Sequence, residues 1–284
     1  MTNQNKTNLL ETFVCDREYL AETAALHAAV GRAVKANVKT ESFFPEVTAC
    51  AEVLKDGVPL LQQPKYLDLA SKSAADAFAG VLADLTNEDL ASGVKTVAEA
   101  AKAWFTSLDD ASKPAFFRDL LQQKPLTDLP EGVSAVFLSV IGWAVIDGLV
   151  PDEWKQHTLY TEKVWKRNYC PVCGRQPVLA HLRKEMEGRA RFLVCDGCHT
   201  EWRYRRLGCV YCGNDDLKTI EILEPEDDNR IRLDGCEKCH AYLKTYTQEG
   251  EEAIFLNDWT TMPLDILGEQ HGFHKVGSVM CKDR

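Results

Sequence analysis

The chain has 284 residues, of which 45% are hydrophobic and 27% are charged. This composition is ordinary for a soluble protein and allows a buried core, and the length allows one large domain or two to three small ones. The formal net charge of −10 disfavours binding to a polyanion by bulk electrostatics.

The N-terminal part, up to about residue 160, is predicted to be helical. Within residues 16–38, apolar residues recur near the helical period, at Leu20, Ala24, Leu26, Val30, Val34 and Val38. Similar spacing predicts helices over 67–86 and 87–105, with Asn87 as the N-cap of the second. A further helix is predicted over 107–123, beginning near Pro114, because proline is tolerated in a first turn.

The most apolar stretch is VSAVFLSVIGWAVIDGLV, residues 133–150. A membrane-spanning helix needs about 20 mainly apolar residues, whereas this stretch contains Asp147 and two glycines and lacks a basic flank. It is interpreted as a buried central helix over residues 133–147. The first twenty residues show no apolar run of the kind found in signal peptides, so a cytoplasmic protein without a membrane segment is expected.

After residue 165 the hydrophobic period becomes that of β-strands. Apolar and polar residues alternate around the turn EMEG, with Val178, Ala180 and Leu182 before it and Ala190, Phe192 and Val194 after it. The pattern recurs around EPEDDN (224–229), with Ile220 and Ile222 before it and Ile231 and Leu233 after it. The C-terminal part is therefore predicted to consist of short β-hairpins.

Four Cys-x-x-Cys pairs punctuate these hairpins: Cys170 and Cys173, Cys195 and Cys198, Cys209 and Cys212, and Cys236 and Cys239. The first and third pairs are followed by glycine, and the second and fourth by histidine. This order indicates an internal duplication of one unit of about forty residues. Each unit has a spacing close to that of a zinc-ribbon or rubredoxin-like site with four cysteines.

The spacing predicts two metal sites. In a reducing cytosol, clustered cysteines indicate metal ligands before structural disulfides. Two tight turns, each presenting two thiolates, close a tetrahedral four-sulfur shell that suits zinc or a single iron. A thioredoxin-like redox motif would need a single pair in a βαβ setting. The repeat favours one site within each unit, while an interleaved arrangement of the pairs stays open. Metal binding would supply folding energy on the order of 10 kcal/mol per site.

Several other residues could serve as metal ligands or mark a functional site. His199 and His240 follow complete cysteine pairs and are expected to have structural roles rather than to bind metal. Cys15, Cys50 and Cys281 lie outside the repeat, and HGFHKVGSVMC (271–281) lacks a ligand spacing, so free thiols and surface histidines are expected there. No Ser-His-Asp order, Walker-type loop or His-Glu-x-x-His motif is present, and a closed four-thiolate site leaves no position for activated water.

Charge is distributed unevenly. Residues 162–206, the basic island, carry eleven Lys or Arg against five acids, while the regions on either side are acidic. Its cations include Arg167, Arg175, Arg183, Lys184, Arg189, Arg191, Arg203, Arg205 and Arg206. One hypothesis is that the island docks an acidic partner surface, and the other is that it forms a solvated face. With Trp202 and Tyr204 it also resembles a phosphate-contact surface, although the low pI and the acidic flanks disfavour nucleic acid.

The cysteine region resembles the formate dehydrogenase accessory protein (FdhE) family. The match follows the order YCPVCG, a hairpin, RFLVCDGCHTEW, CVYCGN, a hairpin and CEKCHAYLKTY, over roughly residues 165–247. The TEW after the second pair and the YLK after the fourth are more specific than the cysteines alone. A helical N-terminal region also fits the family layout.

The resemblance implies a cytoplasmic assembly factor without catalytic activity, which binds the catalytic subunit of a molybdenum- or tungsten-dependent formate dehydrogenase during maturation. The family's metal-binding cysteines fall on the eight named above, with iron or zinc at two sites. The expected fold is a multidomain α+β chain: an all-α domain over 1–164, a first rubredoxin-like domain over 165–207, and a second with a C-terminal extension over 208–284. Homo-oligomerisation is left open. The alternatives are a nucleic-acid-binding zinc-ribbon protein and a rubredoxin-like electron carrier.

Overall fold

The structure, a computed structural model, describes residues 3–40, 42–186, 188–226 and 228–279. Cys281 therefore lies outside the described residues. The helices of the described part are α1 Asn3–Cys15, α2 Ala21–Asn37, α3 Cys50–Val53, α4 Pro64–Asn87, α5 Ser92–Ser107, α6 Ser112–Leu121, α7 Ala135–Leu149, α8 Asp152–Lys155, α9 Glu252–Phe255 and α10 Met262–Gln270. The strands are β1 Leu179–Glu185, β2 Gly188–Val194, β3 Glu201–Tyr204, β4 Ile220–Leu223, β5 Ile231–Cys236, β6 Ala241–Tyr246 and β7 His274–Lys275.

The helical region, residues 3–164, packs around α4 and α7. In α4, the fully buried Phe78 lies edge-on to Phe105 and Phe117, with ring centroids 4.8 and 5.2 Å apart. Helix α7 contributes eight buried residues to the core, and Ser134 caps it by accepting a hydrogen bond from the Phe137 amide. The prediction of a buried central helix is thus confirmed. Among the described helices, none is both long and apolar enough to cross a membrane.

The boundary between α4 and α5 differs from the prediction. Asn87 was expected to cap the second helix, but it is the last residue of α4, and α5 begins only at Ser92. The Asn87 side chain donates instead to the Ala83 carbonyl, which also accepts the Thr86 hydroxyl near the helix end. The assignment of Asn87 as an N-cap was therefore wrong, because α4 runs on through this polar residue.

Both predicted hairpins are present, and the structure joins them into one sheet. Strands β1 and β2 pair antiparallel around the EMEG turn, and β4 pairs antiparallel with β5. The strand order is β3-β2-β1-β6-β5-β4, with β7 paired to β6. Strands β1 and β6 run parallel, with Leu179 opposite Lys244, so the two four-cysteine units share a continuous sheet.

The central strands are buried on both faces. Ala180 and Leu243 belong to the core of the helical region, while Leu179 and Tyr246 pack in a second core with Phe255 of α9. All six residues of β6 are buried. The alternation of apolar and polar residues, expected for a sheet with one wet face, is therefore lost at the centre of the sheet.

Candidate metal centres

Each repeat unit closes one cysteine cluster. Cluster 1 consists of Cys170, Cys173, Cys195 and Cys198, and cluster 2 of Cys209, Cys212, Cys236 and Cys239. Within each cluster, all four sulfur atoms lie within 4.8 Å of one another. The pairs thus combine within each unit and are not interleaved. Among the described residues, no other His, Cys, Asp or Glu joins either group.

The distances between sulfur atoms fit a bound metal ion. In cluster 1 the Sγ atoms of Cys173 and Cys195 are 3.4 Å apart, and in cluster 2 those of Cys212 and Cys236 are 3.7 Å apart. A disulfide would require about 2.05 Å. A tetrahedral ion with metal–sulfur bonds of about 2.3 Å places its sulfur ligands about 3.8 Å apart. Both clusters can therefore hold an ion with small adjustments, and the donor set suits zinc or a single iron alike.

The same backbone turn presents all four cysteine pairs. The residue after each pair has a positive φ: 85° at Gly174, 51° at His199, 76° at Gly213 and 56° at His240. Glycine adopts this conformation without strain, and histidine is among the residue types enriched there. The two histidines thus complete turns, and neither belongs to a cluster. The His199 Nδ1 atom instead lies 3.2 Å from Asp147 on α7.

Amide groups in these turns point at the sulfur atoms. The Gly197 amide lies 3.3 Å from the Cys195 Sγ, and the Tyr211 amide lies 3.4 Å from the Cys209 Sγ. Such donors stabilise thiolate over thiol, which is the form that binds metal. The turns therefore favour metal binding before any ion arrives.

Cluster 1 lies in the interface between the sheet and the helical region. Its four cysteines are fully buried. The helical region reaches it through a short 3-10 segment, in which Leu60 and Leu61 donate their amides to the carbonyls of Pro171 and Val172 at 2.9 and 2.8 Å. The Gln62 side chain donates to the Cys173 carbonyl at 2.8 Å. The first cysteine turn of the cluster is thus hydrogen-bonded to the helical region at three consecutive carbonyls, those of residues 171 to 173.

The C-terminal segment covers the other side of cluster 1. Arg175 stacks on Trp143 at 4.8 Å and donates to the carbonyls of residues 277 and 278. Asp196, between Cys195 and Cys198, accepts the Val279 amide at 2.8 Å. Burial raises the pKa of the Asp196 carboxyl. Helices, sheet and C-terminal segment therefore converge on this cluster.

Burial controls the ionisation of the cluster 1 thiols. It raises the pKa of Cys173 and Cys195 well above the usual value. Burial also opposes ionisation of Cys198, but hydrogen bonds from the three other cysteines and from Thr200 outweigh it and lower the Cys198 pKa well below normal. Without a cation, the cluster therefore favours thiols over several thiolates, and an ion is needed to stabilise four thiolates together.

Cluster 2 is open to solvent. Cys212 is exposed and Cys239 is partly exposed, while Cys209 and Cys236 are buried. The pKa of the Cys236 thiol is lowered to about 7. Burial alone would raise this pKa, but hydrogen bonds from backbone amides and from the Asn214 side chain to the sulfur outweigh the effect of burial. The Asn214 Nδ2 atom lies 3.5 Å from the Cys236 Sγ. The two clusters are built from the same type of turn but differ in their exposure to solvent. The repeat in the sequence did not indicate this difference.

The arginines of the basic island mostly make internal contacts. Arg191 is buried and donates to the carbonyls of residues 205 and 208. Arg183 pairs with Glu201 at 2.7 Å, and Arg203 pairs with two further glutamates. Trp202 is fully buried and donates its indole N–H to the carbonyl of residue 167. Much of the island's charge is thus used within the sheet, and Trp202 is not available for stacking on a base.

The fold and the clusters define a class of protein: a helical region followed by a sheet that carries two four-cysteine clusters of rubredoxin or zinc-ribbon type. Within it, residues 169–206 match the family model "FdhE, central domain". The crystal structure of the FdhE protein from Pseudomonas aeruginosa superposes with a TM-score of 0.66 at 19% identity, covering 97% of this chain and 93% of that one.

The sequence is similar to several FdhE proteins. It is 35% identical to an FdhE homologue of Aquifex aeolicus over 116 residues, which is 39% of this chain and 41% of the relative. It is 32% identical to FdhE of Escherichia coli over 133 residues (46% and 41%). An FdhE homologue of Shewanella sp. strain MR-4 is 24% identical over 85% of this chain and 76% of the relative. The more similar matches thus span about two fifths of the relatives' length. Together these matches confirm the resemblance to the FdhE family.

Proposed function

We propose that this protein is a cytoplasmic accessory protein that binds the catalytic subunit of a molybdenum- or tungsten-dependent formate dehydrogenase during its maturation, without catalysis of its own. The observation that carries the proposal is the combination of an FdhE-like fold over nearly the whole chain with two complete four-cysteine clusters. Accessory binding needs surfaces and stable geometry rather than a reactive centre, and both clusters leave no coordination position open for a substrate.

The eight clustered cysteines are proposed as the ligands of two ions, iron or zinc. An ion in cluster 1 would stabilise the junction between the helical region and the sheet, because its turns contact both. An ion in cluster 2 would stabilise a turn at the surface, where Cys212 is exposed. The two ions would therefore have different effects: one on the fold and the other on a surface that a partner can reach.

The proposed domains are 1–164, 165–207 and 208–284. The pairing of β1 with β6 ties the second and third of these together through a parallel ladder. Shared hydrogen bonds of this kind favour a single rigid body rather than two modules on a linker. A client subunit would then contact both metal domains without rearranging them.

The experiment is affinity co-purification from anaerobic, formate-grown cells of the native host. Proteins in the eluate are identified by mass spectrometry for the wild type, for Cys170→Ser with Cys209→Ser, and for the control Cys15→Ser, which alters an exposed cysteine outside both clusters. A formate dehydrogenase catalytic subunit is expected with the wild type and the control and is expected to be lost with the double variant.

Absence of that subunit from the wild-type eluate would contradict the proposal. Nucleic acid in its place, with binding that falls steeply as salt rises, would support the zinc-ribbon alternative. A reductase in its place would support an electron carrier.

A further inference from the structure

The strand β4 forms an edge of the sheet, with no further described strand beside it. It pairs only with β5, and the sheet order places it last. The opposite edge strand, β3, is different, because its Arg203 amide donates to the Tyr160 carbonyl of the helical region. Backbone groups on the outer side of β4 are therefore available to another strand, whereas those of β3 are partly used.

The side chains of β4 do little to prevent such pairing. The strand reads IEIL, with a single charge and no proline or glycine. Ile222 is 51% exposed, and Leu217, in the segment leading into the strand, is 52% exposed. Sheet edges in monomeric proteins usually carry lysine, proline or a bulge that discourages addition of a strand. An uncovered apolar edge of this kind is the feature used in binding by β-strand addition.

Cluster 2 fixes the position of this edge. Asn214 donates to the Thr219 hydroxyl at 2.7 Å and contacts the Cys236 sulfur. The Thr219 carbonyl in turn accepts the amide of Glu237, inside the last cysteine turn. Ile220 then lies directly opposite Cys236 in the sheet. The start of β4 is thus anchored to the metal turn, which reduces the entropy lost when a partner strand binds.

The charge around β4 selects the partner. Residues 214–229 contain seven acidic residues and one lysine. Asp215, Glu224 and Glu226 are exposed, and none has an ion-pair partner among the described residues. This charge repels a second copy of the same edge and attracts a basic segment.

We propose that β4 is a docking edge, to which an extended segment of a partner protein, rich in Lys and Arg, adds as a further strand of the sheet. An apolar side chain of that segment would pack on Ile222, and its cations would face the acidic residues on either side of β4. That this partner is the formate dehydrogenase subunit rests on the proposed function. The docking edge itself does not, and it is tested separately.

The test uses the full-length protein and a fluorescent peptide of about eight residues in which valine alternates with lysine or arginine, a length typical of a strand. Binding is followed by fluorescence anisotropy at near-physiological salt. A matched peptide carries N-methyl groups on alternate residues, which removes backbone donors and keeps the charge. We expect the methylated peptide, and a peptide with glutamate in place of the cations, to bind at least about tenfold more weakly. Hydrogen exchange is expected to slow in β4 when the unmodified peptide binds.

Two double variants complete the test. Glu224→Lys with Glu226→Lys is expected to weaken binding of the basic peptide by about tenfold or more. Asp56→Lys with Glu131→Lys makes the same charge change at exposed positions of the helical region and is expected to leave binding unchanged. Circular dichroism checks that both variants are folded.

Any of three results would overturn the docking edge: no binding of the basic peptide, equal binding of the methylated peptide, or equal effects of the two double variants. Capture of the formate dehydrogenase subunit at wild-type level by the Glu224→Lys, Glu226→Lys variant would reject this subunit as the occupant of the docking edge while supporting the proposed function. Peptide binding at β4 without any such subunit in the eluate would reject the proposed function alone.

Discussion

The difference in access between the clusters predicts two rates of metal release. A chelator added to the metal-loaded protein can approach cluster 2 through the exposed Cys212. Cluster 1 is fully buried, and a chelator reaches it only after a covering segment, such as the 3-10 segment on the first cysteine turn, moves away. Release from cluster 1 therefore requires local opening of the interface.

The structure sets a minimum for the cost of that opening. Separation breaks three hydrogen bonds, donated by Leu60, Leu61 and Gln62 to the turn at 170–173. At a net value of about 1 kcal/mol for each hydrogen bond, opening costs about 3 kcal/mol. The fraction of molecules with cluster 1 open is then roughly a hundredfold smaller than it would be without these bonds. Apolar surface exposed on opening adds to this value, so a hundredfold difference in rate is the lower bound.

The assay follows the absorbance of a chromophoric chelator over time under anaerobic conditions. One equivalent of metal is expected to leave quickly and one at least about a hundredfold more slowly. Cys212→Ser is expected to abolish the fast phase. Gln62→Ala, which removes one of the three hydrogen bonds, is expected to accelerate only the slow phase. Release of both equivalents at a single rate, with no effect of Gln62→Ala, would refute the assignment of cluster 1 to a closed interface.

Three further predictions concern stability, measured by urea unfolding. Lys244 is fully buried, and its Nζ atom lies 2.8 Å from the carboxylate of the buried Asp258. Because Lys244→Met removes one cation beside this buried carboxylate, it is expected to lower the free energy of unfolding by about 3 kcal/mol. A loss below about 1 kcal/mol would contradict this expectation. Burial lowers the pKa of His27 from 6.5 to about 4. As the pH falls below 6.5, His27 is therefore protonated in the unfolded chain while it stays neutral in the folded protein. The free energy of unfolding of the wild type should therefore fall by about 1 kcal/mol more than that of His27→Gln between pH 7.5 and 5.5. Equal losses would exclude a half-buried neutral imidazole at this position. Gly197→Ala would place a Cβ atom 2.6 Å from the Arg175 side chain and 2.7 Å from that of Trp143, and it is expected to destabilise the fold by about 1–3 kcal/mol. In Gly31→Ala the added Cβ meets nothing within 4 Å in its helix, so this variant should be more stable than the wild type. Changes in stability of the same sign for both variants would contradict the packing argument.

The cysteine clusters could be predicted because each of their turns is specified by residues that lie next to one another in the sequence. Two cysteines two residues apart, followed by glycine or histidine, specify a turn, and the repeat indicates which turns combine. The buried helix α7 was predictable for the same reason, since a long apolar stretch with few charges has few other stable positions. The error at Asn87 also has a local origin: a polar residue between two helical patterns can end one helix as readily as begin the next.

The tertiary arrangement was not predictable, because it depends on contacts between distant segments. Leu60–Gln62 carry no motif, yet they hold the first cysteine turn. Strand β6 contains Lys244 and Thr245, which suggest a half-exposed strand, but Asp258 provides the lysine with a buried partner and allows full burial. The difference between an enclosed and an open cluster follows from these contacts and has no counterpart in the cysteine spacing.

The most direct test of the account is a count of metal ions by native mass spectrometry, because the proposed function and the predicted release rates both treat the two clusters as independent four-cysteine sites. The wild type and Cys15→Ser are predicted to carry two ions per chain, and Cys170→Ser and Cys209→Ser one ion each. Two ions in either cluster variant, or fewer than two in a wild-type protein with all its thiols reduced, would contradict the account.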